Sequence, residues 1–195
     1  MSSEYHTNPE EPMAWFRPTS DGVTARFAQP EAAIIRELVE QVVELIEPGI
    51  QAPLEDEFAA MVGMTDPMSP DGAEMPDDPV VARLLPDAYR DDPEAAQEFR
   101  RFTESGLRSA KVESASTLLA TLPPRGGRVR LSHGQAEAWL RSLNDVRLAL
   151  GVRLGVTDDF DGLREDADSD DPRNFSVQVY QWLAYLQESL VAALS

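Results

Sequence analysis

Apolar and polar positions alternate between two regimes along this chain. Two short strand-like runs, Ala14–Arg17 and Val23–Phe27, flank Thr19-Ser20-Asp21-Gly22, whose Asp-Gly pair predicts a hairpin turn. A two-stranded ribbon is marginal alone, so it must pack on helices or gain a third strand, for which Val129–Leu131 is the candidate. From Pro30 the period lengthens. Ile34, Ile35, Leu38, Val42, Leu45 and Ile46 supply one face of a first helix, which Pro48-Gly49 ends. Asp92-Pro93-Glu94 opens a second long helix, running to about Leu122 before Pro123-Pro124. Its buried side is predicted at Ala96, Phe99, Phe102, Thr103, Leu107, Ala110, Ser114 and Leu118, with Arg101, Glu104, Arg108 and Lys111 on a solvated outer stripe.

The clearest helix is residues 134–155. Ala136, Trp139, Leu140, Leu143, Val146, Leu150 and Leu154 recur at three- and four-residue steps, with Ser132 as N-cap. At about 100° per residue, Arg147 falls at the edge of this face and needs a partner, whereas Arg141, Asn144 and Asp145 are expected to point away. A last helix, Phe175 to Leu194, carries Val177, Tyr180, Leu183, Ala184, Leu186, Gln187 and Leu190 inward. The fold class is mainly α: a bundle of about four main helices with a small N-terminal antiparallel β-ribbon, or a three-stranded sheet. Residues 1–13 read as a disordered tail and 14–195 as one domain, interrupted by acidic loops at about 48–82 and 157–172.

Composition changes this picture in two ways. The chain has 195 residues and a net charge of −18, which argues against a protein that binds nucleic acid with its whole surface. Yet from Arg100 to Arg153 ten basic residues face four acidic ones, so this segment is +6 and the remainder −24. There is also no cysteine, so disulfides, thiolate metal sites and thiol switching within the chain are excluded. No run approaches the roughly 18 apolar residues of a membrane helix, and the expected location is cytoplasmic.

Candidate chemistry is sparse. Asp159-Phe160-Asp161-Gly162, with Thr157 and Asp168 at the outer ligand positions, has the outline of a calcium loop. However, Thr stands for the first Asp, Asp for the bidentate Glu, and Arg164 for an apolar residue, so a solvated acidic loop is the reading and no metal site is assigned. No phosphate loop, nucleophile elbow or dinucleotide fingerprint occurs. His133, at a helix start, lacks the nucleophile and orienting group a general base needs. No catalytic residue, cofactor or enzymatic activity is expected. What remains is the basic segment: Arg125, Arg128 and Arg130 around a glycine turn and short strand, with Arg141, Arg101, Arg108 and Lys111 on the flanking helices, are the expected contacts to a partner or to DNA phosphates. The −24 elsewhere disfavours autonomous DNA binding, and an acidic protein partner or the chain's own acidic loops fit as well.

The stretch from Arg83 to Val156 resembles an actinobacterial family long catalogued as a domain of unknown function, whose members include an oxidative-stress transcription regulator. The resemblance is carried by Arg83-Leu84-Leu85-Pro86-Asp87-Ala88-Tyr89, by Glu98-Phe99-Arg100 and Lys111, and by Trp139-Leu140 with Leu143-Asn144-Asp145-Val146-Arg147-Leu148-Ala149-Leu150-Gly151. It implies a cytoplasmic regulator acting with the transcription machinery through a sigma factor or RNA polymerase. Redox sensing in such regulators is attributed to a cysteine pair, which this sequence lacks. The matching motifs also make Glu98 and Arg147 the expected partners of an ion pair between the two longest helices. An adaptor or scaffold unrelated to transcription is the alternative function.

Overall fold

In the computed structural model, which describes residues 16–47, 78–86, 93–156 and 172–195 and omits the side chains of 93, 95, 96, 98, 101 and 172, the chain opens with the expected hairpin. Strands β1 (Phe16–Thr19) and β2 (Gly22–Phe27) pair antiparallel, Thr19 opposite Gly22. Gly22 has φ +149°, and a Cβ there would lie 2.0 Å from the Leu131 carbonyl oxygen, so only glycine fits. That oxygen belongs to β3 (Gly127–Ser132), which pairs antiparallel with β2 and completes a sheet of order β1-β2-β3. The third strand enters through Gly126, at φ +72°, where a Cβ would lie 2.7 Å from the Ala28 backbone.

The inner face of the sheet is apolar: Phe16, Val23, Ala25, Phe27, Val129 and Leu131 are all buried. Phe16 and Phe27 meet Trp139, Phe27 stacked on the indole at 5.7 Å and Phe16 edge-on at 5.8 Å. The indole N–H donates to Thr121 Oγ1 at 2.7 Å, so the polar handle of this buried ring is satisfied.

Five helices follow among the described residues: α1 (Gln29–Ile46), the short α2 (Pro79–Leu84), α3 (Pro93–Thr121), α4 (His133–Leu154) and α5 (Pro172–Leu194). The architecture is therefore the expected one, four main helices and a small sheet, with α2 occupying the end of the stretch read as an acidic loop. Asp78 caps α2 by accepting from the Val80 N–H, which brings Val80, Val81 and Leu84 into the core. Residues 48–77 and 157–171, including the calcium-like stretch, lie outside the described residues, as does the N-terminal tail. Among the described residues no helix is long and apolar enough to cross a membrane.

Helix α4 is central, and its capping box matches the sequence: Ser132 Oγ accepts from the Gln135 N–H, and Gln135 Oε1 from the Ser132 N–H. Its expected face is buried at Ala136, Trp139, Leu143, Val146, Leu150 and Leu154. Because α3 and α5 pack on opposite flanks, Ala138, Ser142 and Ala149 are buried as well. So is Asp145, at 5% exposure, which corrects the expectation that it points to solvent.

The second correction concerns α3. Ser114 and Leu118 are buried as expected, but the inward stripe as a whole is Arg100, Glu104, Arg108, Lys111, Ala115, Leu118 and Leu122, charged in its first half and apolar in its second. Phe102 is instead 80% exposed, and Phe99 and Leu107 face outward too. The physical reason is the C-terminus of α1. Its last carbonyls have no partner within the helix and carry the negative end of its dipole. Arg108 Nη1 donates to the Ile46 carbonyl at 2.8 Å while Glu104 bridges Arg108 and Arg100, at 2.6 and 3.2 Å. The arrangement is reciprocal: Arg36 of α1 donates to the Leu122 carbonyl at the end of α3, at 2.9 Å. Each of these antiparallel helices closes the other with an arginine.

Candidate functional site: an arginine face on the sheet

Strand alternation sends every second side chain to the outer face of the sheet. On β3 these are Arg128, Arg130 and Ser132; on β2, Thr24 and Arg26; on β1, Arg17 and Thr19. The register places them side by side. Arg17 is opposite Thr24, Thr24 opposite Arg130, and Arg26 directly opposite Arg128. All four arginines are exposed, and among the described residues none has an ion-pair partner. Arg125, also exposed, stands in the turn just before β3. A chain of net charge −18 thus carries a small sheet whose outer face holds four guanidinium groups and no carboxylate.

Two like charges directly opposite in an antiparallel pair destabilise the sheet by some tenths of a kcal/mol. The Arg26–Arg128 pair is such an arrangement, and nothing within the described fold relieves it. Guanidinium groups so placed can take carboxylates or phosphates in bidentate fashion. Arg128 and Arg130 are among the contacts expected from sequence, whereas Arg17 and Arg26 are not. The signal was present: Arg17 follows the inward Phe16, and Arg26 sits between the inward Ala25 and Phe27.

The remaining expected contacts do not join this face. Arg108 is 8% exposed and engaged at the end of α1. Lys111 Nζ donates to Asp145 Oδ1 at 2.6 Å, bridging α3 and α4. Burial pushes the Asp145 carboxyl above its ordinary value of 3.8, and the hydrogen bond and charge of Lys111 pull it back only in part. Arg141 lies exposed between α3 and α4, its Nε donating to Ser114 Oγ at 3.3 Å. The Arg101 side chain is outside the described residues. Arg147 Nη1 donates to Gln187 Oε1 at 2.6 Å and its guanidinium lies 5.2 Å from the Tyr180 ring centroid, so α5 meets part of its need, while its buried Nε has no hydrogen-bond partner among the described residues. Glu98, the expected ion-pair partner of Arg147, has its side chain outside the described residues. His133 is exposed at the start of α4. Among the described residues no group of three or more His, Cys, Asp or Glu could hold a metal ion.

Comparison with known proteins adds a family to this geometry. The profile of a family described as "Domain of unknown function (DUF2017)" matches residues 13–194. The chain is 36% identical over 194 residues to a Mycobacterium tuberculosis (strain ATCC 25618 / H37Rv) protein named "Oxidative stress regulator AosR", covering 90% of this chain and 84% of that protein. The same figures hold for a protein of that name from Mycobacterium bovis (strain ATCC BAA-935 / AF2122/97). No solved structure matches the chain.

Proposed function

The chain belongs to the DUF2017 family, and from that premise we propose that it is a non-enzymatic regulator of the response to oxidative stress, acting by protein contact with the transcription machinery through a sigma factor or RNA polymerase. The regulatory part of this reading is supported by the relatives, two of which are named oxidative stress regulators. The mode of action is supported by one observation above all: four exposed arginines share the outer face of the sheet, two of them directly opposite each other. An acidic partner surface relieves that repulsion and takes up the bidentate donors, and arginine is among the residues that dominate binding energy at protein interfaces.

Protein contact is favoured over promoter DNA by the charge balance. A net charge of −18 repels a duplex over the Debye length, whereas an acidic protein surface need meet only the sheet. With no cysteine in the sequence, the input that this regulator reads is not a thiol of its own.

The test is a pull-down from the native cell lysate with the wild-type chain and with a variant carrying Arg17→Thr, Arg26→Thr, Arg128→Thr and Arg130→Thr, each with and without nuclease. RNA polymerase or a sigma factor is expected on the wild type after nuclease and absent from the variant. Recovery that depends on intact nucleic acid would make DNA the bridge. Recovery of an unrelated protein with no transcription component would replace this reading with an adaptor.

A further inference from the structure

Between α3 and α4 lies a groove of about 430 Å³. Small residues create it. Ser114 and Ala138 form a buried floor, and at Gly134 an added Cβ would meet only open space. Its charged lining is balanced: Lys111 and Arg141 against Glu113 and Asp145.

The two cations are held differently. Lys111 is committed to Asp145, in a pair whose side chains are 17% and 7% exposed. Arg141 reaches across the groove, fixed by the Nε bond to Ser114, whose hydroxyl in turn donates to the Ala110 carbonyl at 3.0 Å. Its Nη1 forms an exposed ion pair with Glu137 at 3.8 Å, too long for a hydrogen bond, so a ligand carboxylate must take the outer edge of the guanidinium over from Glu137. On the anionic side, Lys111 occupies Asp145 Oδ1, and Oδ2 has no hydrogen-bond partner among the described residues. Glu113 is exposed at the rim and unpaired among the described residues.

A ligand with a single charge would be repelled by as many of these groups as attract it. A ligand with both charges a few ångströms apart satisfies each. We propose that the groove binds a zwitterionic α-amino acid, its carboxylate on the outer edge of Arg141 and its ammonium toward Asp145 Oδ2 and Glu113. Its side chain lies against Ala138, one helical turn from Arg141 on the apolar part of the lining. The volume falls in the range of about 300–1,000 Å³ typical of small-molecule sites. The carboxylate is bound by two parallel charge-assisted N–H bonds, the geometry for which a guanidinium is preorganised. The inference is independent of the transcription reading, and it supplies a chemical input that needs no thiol.

The full chain, isotope-labelled, is titrated with each of the standard L-amino acids singly, and backbone amide shifts are followed. At least one amino acid is expected to give saturable shifts confined to residues 107–117 and 134–145, with a Kd below about 1 mM. Arg141→Gln and Glu113→Gln, at exposed positions that leave the fold intact, are each expected to weaken it about tenfold or more. The des-amino carboxylate of the best amino acid should bind about tenfold more weakly. The proposal is overturned if no amino acid gives a saturable shift, if the shifts fall outside the groove, or if Arg141→Gln binds as tightly as wild type. It is also overturned if the des-amino compound binds as well, since the site would then select carboxylates and not zwitterions.

Discussion

Arginines on the sheet and arginines between α1 and α3 are chemically identical and put to opposite use. Arg36 and Arg108 close the carbonyl ends of neighbouring helices, and Glu104 bridges Arg100 and Arg108 where they are buried. Arg17, Arg26, Arg128 and Arg130 stand exposed, with two of them opposed at the sheet's own expense. The difference teaches that a count of basic residues says little about a binding surface. What distinguishes the two sets is whether the fold has already supplied an acceptor.

This contrast can be broken or sharpened by substitution. The largest effect is expected for Arg108→Met, which leaves the end of α1 without its buried donor and Glu104 with Arg100 alone, and should cost about 3–5 kcal/mol in denaturant unfolding. A loss no greater than that of a surface substitution would show that the inward network is ornamental. Lys111→Met should follow at about 3 kcal/mol near neutral pH, because Asp145 is left as an uncompensated buried charge.

That second loss should depend on pH, with a definite sign. Burial gives Asp145 a higher pKa in the folded chain than its ordinary 3.8, so the folded state holds the proton more tightly than the unfolded one. Its favourable contribution is present below the ordinary value and fades as pH rises through the folded one. Without Lys111 the folded pKa climbs further, so unfolding of Lys111→Met should show a deficit near pH 7 that shrinks toward about pH 4. A pH-independent deficit would mean that lost packing, and not charge, explains it.

Arg36→Met should be milder, about 1.5 kcal/mol, since it removes one charged hydrogen bond from a half-buried arginine and leaves no charge unpaired. The smallest effect has the opposite sign. Arg128→Thr removes the repulsion with Arg26 and introduces a residue that favours strands, so stability should rise by some tenths of a kcal/mol. A clear loss in this variant would show that Arg128 has a partner within the chain and that the two sets are alike.

The same contrast explains what was legible in the sequence. Helix α4 was read correctly at Trp139, Leu143 and Val146 because its face is apolar throughout, and period alone identifies such a face. Helix α3 misled because its inward stripe changes chemistry halfway: Arg100, Glu104 and Arg108 lie in line with Ala115, Leu118 and Leu122. An amphipathic reading assigns the phenylalanines inward, and only the unmet carbonyls of α1, a tertiary fact, reverse it. Asp145 was misplaced for a related reason, since a helix packed on two flanks has no single polar side. The arginine face was half legible. Alternation in β3 exposed Arg128 and Arg130, but bringing Arg17 and Arg26 beside them required the register of all three strands.

That register also fixes an order of events during synthesis. Thr24 of β2 donates its hydroxyl to the Val129 carbonyl of β3 across 105 positions of sequence. The hairpin of β1 and β2 is made first but is marginal by itself, and long-range strand pairing is slow because its loop must close before the contacts form. A nascent chain therefore carries Arg17 and Arg26 on an unfinished ribbon until Ser132 has left the ribosome. The complete arginine face is a property only of a chain that has finished folding, so a truncated or stalled product cannot compete for whatever that face binds.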